Sequence, residues 1–170
     1  MKIIETDRLI IRRMSTDDSA FMLELLNEPS WLRFIGDRGI RTIEEAHHYI
    51  LKGPVEMYPR LGYGFCVVQL KETDCKIGIC GLVKRDFLDD VDIGYAFLPQ
   101  YRGKAYAYEA ASAVLEYAEI ELGLKRVVAA VRADNYVSAG LLKKLGLRFE
   151  RTVKHPDEEQ ELELFAINIQ

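Results

Sequence analysis

In the middle of the chain the spacing of apolar residues changes from strand-like to helical, and this change limits the folds that are possible. Three short apolar segments at 64–70, 76–83 and 91–98 are separated by polar turns, which predicts three consecutive antiparallel strands. From Ala105 onward the apolar residues recur three and four positions apart, as on one face of a helix. A meander followed by a long helix indicates an α+β domain.

Further elements are expected on both sides of this unit. On the N-terminal side they are a strand at 9–13, a helix over 16–27, and a helix that opens with a capping box at Thr42 and closes at Gly53-Pro54. On the C-terminal side they are a central strand at 126–131 that is apolar on both faces, a short helix from Asn135 to Gly146, and strands at 148–153 and 162–169. The side chains of 162–169 are expected to alternate between the two faces of the sheet, and the alanines early in the long helix to let it pack closely on the sheet. We therefore predict one domain over residues 1–170, with a mixed, mostly antiparallel sheet of about seven strands and about four helices.

Composition and charge exclude several classes of protein. The chain has 170 residues, of which 49% are apolar and 29% charged, as in a folded globular domain. A net charge of -4 argues against nucleic-acid binding, which usually needs a basic surplus. No apolar run approaches the roughly 20 residues of a membrane span, and the start lacks the apolar core of a secretory signal. We expect a cytoplasmic protein that binds neither nucleic acid nor membrane.

The cysteines and histidines lack the spacing of a metal site. Cys66, Cys75 and Cys80 contain no Cys-x-x-Cys pattern and cannot all be paired. We expect reduced thiols in the core or on the surface. The three histidines have no accompanying ligand set, and we expect them on the surface. The sequence therefore predicts no metal.

The junction between the third strand of the meander and the long helix carries the clearest candidate binding site. Its turn contains Arg102, Gly103 and Lys104 and leads through Ala105 into a helix N-terminus. Free backbone N–H groups and the helix dipole favour an anion there, and the two cations suit a phosphate ligand. The alternative is an ordinary tight turn with solvated cations. A Walker A loop is excluded, because it needs Ser or Thr at the position of Ala105, and no Gly-x-Gly-x-x-Gly follows a strand.

The same turn resembles the pyrophosphate loop of the GNAT superfamily of acyl-CoA-dependent acetyltransferases, Q/R-x-x-G-x-G/A, which here is Gln100 to Ala105. Other segments are similar to the branch that acetylates the N-termini of ribosomal proteins: 6–12, 92–95, 106–110, 135–138 and 144–147. They follow the family's order and span nearly the whole chain. The resemblance implies a GNAT-like acyl-CoA N-acyltransferase fold and an enzyme that transfers the acetyl group of acetyl-CoA to a primary amine. The amine would attack directly in a ternary complex.

The resemblance also implies which residues bind the cofactor. The residues whose backbone amides would hold the CoA pyrophosphate are Arg102, Gly103, Lys104, Ala105 and Tyr106. The backbone of Phe97 and Leu98, on a strand that splays from its neighbour, would pair with the pantetheine arm, and an N–H of this stretch would stabilise the oxyanion. Asn135 would contact the arm from the other side, serve as a helix N-cap, or do both.

Two catalytic residues are implied in the same way. Asp92 stands where histone-type members have a glutamate general base, and it would act directly or through water. The alternative is an aspartate that caps a turn or stays solvated. Many members protonate the CoA thiolate with a tyrosine where this chain has Leu142, and some use a glutamate where it has Ala130. Ser138 or ordered water is left for this task, unless Ser138 is an ordinary first-turn serine.

The acceptor is left open by these residues. A peptide N-terminus and small-molecule amines both qualify, although at pH 7 an α-amine costs only about 1 kcal/mol to deprotonate and a lysine roughly 4 to 5. The acidic segment 157–163 would attract a cationic acceptor if it lies at the cleft mouth. The early aromatic and Met residues are expected mostly in the core, with one or two in the acceptor pocket: Trp31, Phe34, Tyr49, Met57, Tyr58 and Tyr63.

Two other functions stay open at this stage. A non-catalytic acyl-CoA-binding sensor is suggested by the missing tyrosine and glutamate. An unrelated nucleotide-phosphate enzyme could use the same helix N-terminus. Homodimers are common in the family that the chain resembles.

Overall fold

Eight strands form a single mixed sheet in residues 3–170, the part of the chain that this computed structural model describes. The strands are β1 (Ile4–Glu5), β2 (Leu9–Arg13), β3 (Phe65–Leu70), β4 (Lys76–Val83), β5 (Val91–Phe97), β6 (Arg126–Arg132), β7 (Arg148–Lys154) and β8 (Glu161–Asn168). Their order across the sheet is β1-β2-β3-β4-β5-β6-β8-β7. Only β5 and β6 pair in parallel. The predicted mixed, mostly antiparallel sheet is confirmed, with the short β1 as an additional edge strand.

Six α-helices accompany the sheet in the described residues. They are α1 (Ser19–Leu26), α2 (Pro29–Phe34), α3 (Ile43–Ile50), α4 (Glu56–Leu61), α5 (Tyr106–Ile120) and α6 (Tyr136–Lys144). The capping box at the start of α3 is confirmed, because Thr42 Oγ1 accepts from the Glu45 amide at 3.1 Å and Glu45 Oε2 accepts from the Thr42 amide at 3.2 Å.

Proline changes the helix boundaries in two places. Pro29 was expected to follow a helix end, yet it also begins α2, where its missing N–H costs nothing. Gly53-Pro54 was expected to close a helix, but the π-helical segment Leu51–Val55 continues the chain into α4. The wider π turn tolerates Pro54, which has no N–H to donate. Because of these two segments, the chain forms α2 and α4 in addition to the predicted helices.

The core lies mainly between the sheet and the helices. The alanines of α5 at positions 110, 111 and 118 are fully buried, so this helix packs closely on the sheet, as predicted. The alternation in β8 is also confirmed, because Phe165 joins the main cluster while Leu162 and Leu164 join a second, smaller one. No helix of residues 3–170 is both long and apolar enough to cross a membrane.

The three cysteines form no disulfide within residues 3–170. Cys66 and Cys80 are buried opposite each other in β3 and β4, whereas Cys75 is exposed. The expectation of reduced core and surface thiols is confirmed.

Candidate active site

The cleft of this molecule begins where β5 leaves β6. These parallel strands are in register only at Val91 with Val127 and Asp92 with Val128. Beyond those pairs β5 continues to Phe97 and β6 to Arg132, but the two strands no longer pair with each other. The divergence opens into a cavity of about 1460 Å³, which α2, α3 and the start of α6 also line. The predicted splay between these two strands is confirmed.

One edge of β5 presents unpaired backbone to the cleft. Leu98 N–H donates to Ile77 O of the adjacent strand segment at 2.9 Å, so Leu98 faces β4. Backbone direction alternates along an antiparallel pair, and the peptide groups of Phe97 and Tyr95 therefore face the cleft. Phe97 suits the predicted contact with an extended ligand arm. Leu98 differs from the prediction, because its N–H is already engaged and cannot serve an oxyanion.

Arg102 also differs from its predicted role. Its guanidinium donates to Phe97 O from Nη2 at 2.8 Å and from Nε at 3.1 Å, and to Ser30 Oγ at 2.7 Å. Its backbone N–H donates to Pro99 O at 3.2 Å. The side chain therefore links β5 to the start of α2, and neither its amide nor its charge points freely at the N-terminus of α5.

The remaining amides of the turn have the arrangement that an anion requires. Among residues 3–170 no atom accepts a hydrogen bond from the amides of Gly103, Lys104 or Ala105. Tyr106 opens α5, whose N-cap Ala105 offers no capping side chain, so the first-turn amides also lack intrahelical partners. Gly103 has φ 76°, and the space beside its Cα is empty within 4 Å. Four consecutive backbone donors at the positive end of a helix thus lack a partner within residues 3–170, which suits an anion.

Asp92 is buried at the point where the two strands separate. Only 3% of the residue is exposed, Oδ2 accepts from Arg85 Nε at 2.6 Å, and Oδ1 lies 3.4 Å from the Ala130 amide. Neither the solvated nor the turn-capping alternative describes this residue. Burial raises the pKa of Asp92 to about 6, although the charge of Arg85 partly opposes that shift. The result is a carboxylate in the cleft wall that is a stronger base than an exposed one.

Ser138 lies across the cleft from β5, in the first turn of α6. Asn135 Oδ1 accepts from the Ser138 amide at 3.2 Å, which confirms the predicted N-cap. Tyr95 Oη lies 3.1 Å from Ser138 O and 3.0 Å from Ser138 Oγ. A carbonyl can only accept, so the tyrosine donates to Ser138 O, and the serine hydroxyl donates to the tyrosine oxygen.

Tyr95 was not predicted as a site residue. The signal that could have found it is its position on the open edge of β5, two residues before Phe97. Burial raises its pKa above the ordinary range, so the phenol keeps its proton at neutral pH. Leu142, where the resembling family places a tyrosine, is fully buried in the apolar core.

Aromatic and Met residues from the early part of the chain also line the cavity. The lining aromatic and Met residues are Trp31, Phe34, Tyr49 and Met57. Tyr58 and Tyr63 are core residues, as most of the group was expected to be. Thus four of the six line the pocket, more than the one or two expected.

One carboxylate of the acidic segment reaches the cavity. Glu158 and His155 line the cavity, and Arg132 at the end of β6 donates to Gln160. In the described chain no group of three His, Cys, Asp or Glu residues could hold a metal ion.

The chain is similar throughout to proteins of one family. Residues 8–148 match the family described as an acetyltransferase (GNAT) domain. The uncharacterised N-acetyltransferase YnaD of Bacillus subtilis is 33% identical over 150 residues, which cover 86% of this chain and 83% of YnaD.

Solved structures agree in fold. A GNAT-family acetyltransferase from Bacillus anthracis superimposes with a TM-score of 0.81 at 26% identity, covering 98% of both chains. RimL, a ribosomal L7/L12 α-N-protein acetyltransferase in complex with coenzyme A, superimposes with a TM-score of 0.85 at 16% identity, covering 99% of this chain and 98% of RimL.

Proposed function

This chain belongs to the GNAT family of acetyltransferases and uses acetyl-CoA, and from that premise we propose that its acceptor is the α-amine of a peptide or protein N-terminus. The observation that carries the proposal is the buried carboxylate of Asp92, whose pKa of about 6 suits an α-amine better than a lysine. Acetyl-CoA, when bound, supplies a thioester carbonyl that a neutral amine can attack.

The strength of the base decides between amines. Moving a proton from an α-ammonium of pKa near 7.8 to Asp92 is uphill by about two pKa units, or about 2 to 3 kcal/mol. From a lysine of pKa near 10.4 the same transfer is uphill by more than four units, or about 6 kcal/mol. Asp92 can therefore deprotonate an α-amine, directly or through one water, at a modest cost. A lysine acceptor would need a further device that the described residues around Asp92 do not supply.

The residues around the open amides fit the cofactor. Gly103, Lys104, Ala105 and Tyr106 offer four unpaired N–H groups, and the empty space beside Gly103 leaves room for a pyrophosphate. The Phe97 N–H on the cleft-facing edge of β5 offers a pairing partner for a carbonyl of an extended arm, whereas Phe97 O already accepts from Arg102. Asn135 and the start of α6 line the opposite wall.

Ser138 and Tyr95 act on the leaving side of the reaction. Direct attack by the amine in a ternary complex leaves a thiolate that must gain a proton. We assign the delivery of that proton to the Ser138 hydroxyl, which Tyr95 holds at 3.0 Å and which takes up a proton from water in the cleft as it gives up its own. Neither Leu142 nor Ala130 carries a group that can donate one.

The cavity supports a chain-like acceptor. Glu158, within the acidic segment, lines it, and its carboxylate favours a protonated amine that approaches there. RimL, which shares this fold at a TM-score of 0.85, is a ribosomal L7/L12 α-N-protein acetyltransferase. The cavity of about 1460 Å³ has room for the first residues of a peptide beside the cofactor arm.

An acceptor screen tests the proposal. Free thiol is followed while acetyl-CoA is mixed with peptides that have free N-termini, with N-terminally blocked peptides that contain lysine, and with polyamines and amino sugars. We expect turnover with the free N-termini and little with the blocked peptides. Turnover confined to lysine side chains or to small amines would overturn the assignment of the acceptor while leaving acetyl transfer intact.

A further inference from the structure

The segment before β2 is tied to the first turn of α5 by one carboxylate. Glu109 Oε1 accepts from Thr6 Oγ1 at 2.6 Å and from the Arg8 amide at 2.9 Å, and Oε2 accepts from Arg8 Nε at 2.7 Å. The Arg8 guanidinium also lies over the Tyr106 ring, 4.3 Å from its centroid. Residues about a hundred positions apart in the chain thus meet beside the open amides of the turn.

Arg8 uses a second donor on the turn itself. Nη1 donates to Lys104 O at 3.0 Å. In a trans peptide the carbonyl and the following N–H point in opposite directions. A carbonyl of Lys104 that is held toward Arg8 therefore directs the Ala105 N–H away from Arg8.

The backbone at Ala105 needs such support. Ala105 has φ 63°, in the left-handed region that a residue with a Cβ adopts only at a cost. Two contacts hold this conformation: the Arg8 bond to Lys104 O on one side, and the bond from Glu109 N to Ala105 O at 3.0 Å on the other. Glu109 therefore takes part in both, through its backbone and through its side chain.

We propose that Arg8, anchored by Glu109, is a positioning residue that directs the Ala105 amide at the pyrophosphate of CoA. The proposal rests on the proposed cofactor site. It gives a function to the segment Thr6–Arg8, which contains neither the proposed base nor the proposed proton donor. Arg8 does not act through its charge alone, since Glu109 neutralises it in a pair whose side chains are 45% and 19% exposed.

The direction in which Glu109→Gln changes the affinity for CoA separates this role from simple electrostatics. Glu109 is a negative charge close to an anion site, so charge alone predicts that Glu109→Gln strengthens CoA binding. Positioning predicts the reverse, because the amide NH₂ of a glutamine faces the Arg8 donor and releases the guanidinium from Lys104 O. A charged ligand that loses one well-aimed N–H is expected to bind roughly tenfold more weakly.

Calorimetry with CoA and steady-state kinetics with acetyl-pantetheine, which has no pyrophosphate, test the proposal. For Glu109→Gln and for Arg8→Lys we expect a dissociation constant for CoA raised about tenfold or more, with a much smaller change in kcat/KM for acetyl-pantetheine. Glu150→Gln is the matched control, because it removes another arginine-paired carboxylate, that of Arg126, away from the turn. It should leave the affinity for CoA unchanged.

The other outcomes would contradict either the positioning role or the cofactor site. Unchanged or tighter CoA binding by Glu109→Gln overturns the positioning role, and so does an equal loss with CoA and acetyl-pantetheine, which would indicate a general structural defect. Wild-type protein that gives no heat with CoA would instead contradict the cofactor site on which the proposal depends. The acetyl-pantetheine rate also reports whether each variant is folded.

Discussion

Arg85 Nε lies 2.6 Å from Asp92 Oδ2, at the position where β5 and β6 stop pairing. The other carboxylate oxygen lies 3.4 Å from the Ala130 amide, the next alternate donor on β6 after Val128. A side chain therefore takes the place of the next strand-to-strand bond. The same contact that ends the pairing puts a buried carboxylate into the cleft wall, and Arg85 keeps its basicity moderate.

Replacement of Asp92 tests its role as the base. We expect Asp92→Asn to lower kcat by about 10² to 10³, since an amide cannot accept the proton of the amine. The affinity for CoA should stay the same, because Asp92 lies on the acceptor side of β5. Asp89→Asn, at an exposed neighbouring position, is the matched control and should retain wild-type kcat. Equal rates for the wild type and Asp92→Asn would show that the amine loses its proton elsewhere.

The pH dependence of kcat follows from the raised pKa of Asp92. With both substrates saturating, activity should be present above pH 6 and fall as the pH drops through about 6, because the protonated carboxyl is no longer a base. In Asp92→Asn this acidic limb should be absent. A limb that persists in the variant would have to be assigned to another group.

Stability should change in the opposite direction over the same range. The folded-state pKa of Asp92 exceeds its unfolded value near 3.9, so the native state binds the proton more tightly between pH 4 and 6. Its contribution to the free energy of unfolding therefore grows as the pH falls through that window. Thermal denaturation at each pH thus separates loss of the base from loss of the fold.

The pair of Tyr95 and Ser138 can be tested by a double-mutant cycle. We expect Ser138→Ala to lower kcat by about 10² if its hydroxyl protonates the thiolate. Tyr95→Phe removes both hydrogen bonds to Ser138; the one that orients the hydroxyl is worth about 1 kcal/mol, so the variant should lose about fivefold in kcat. If Tyr95 acts only through Ser138, the double variant should be no slower than Ser138→Ala. Additive losses would mean that the phenol has a separate role.

Replacement by alanine should change the free energy of unfolding in opposite directions at two glycines. A Cβ at Gly81 in β4 would overlap the carbonyl oxygen of Gly64 and approach Phe65 Cα to 2.8 Å, so Gly81→Ala should lower the free energy of unfolding by at least about 2 kcal/mol. A Cβ at Gly140, inside α6, meets no atom within 4 Å. Gly140→Ala should raise that free energy by about 0.5 to 1 kcal/mol. Chemical denaturation measures both, and a tolerated Gly81→Ala would contradict the close packing of β3 on β4.

The elements with strong local signals were predicted well. The capping box at Thr42, the Asn135 cap, the alanine face of α5 and the alternation in β8 depend on residues close together in the sequence. The prolines were harder to interpret. Pro29 and Pro54 are both compatible with a helix end or with an unusual helical turn, and packing of α2 and α4 against the rest of the chain selected the turn.

The geometry of the predicted site depends on the sequence to different degrees. The unpaired amides of Gly103, Lys104 and Ala105 could be anticipated because the strand, turn and helix that build the loop are contiguous. Arg102 and Leu98 could not, since their hydrogen bonds go to Phe97, Ser30 and Ile77. Those partners are set by strand register and by the position of α2.

By itself the sequence predicted most of the strands and helices, the turn proposed to bind an anion at the start of α5, and the family to which the chain belongs, because each of these depends on local spacing and short motifs. Only the tertiary structure decided which groups share the cleft. The partners of Asp92, Ser138 and Glu109 are Arg85, Tyr95 and Arg8. The last two pairs join residues 43 and 101 positions apart, and such contacts depend on how the sheet splays and how the helices pack. No local pattern in the chain encodes those distances.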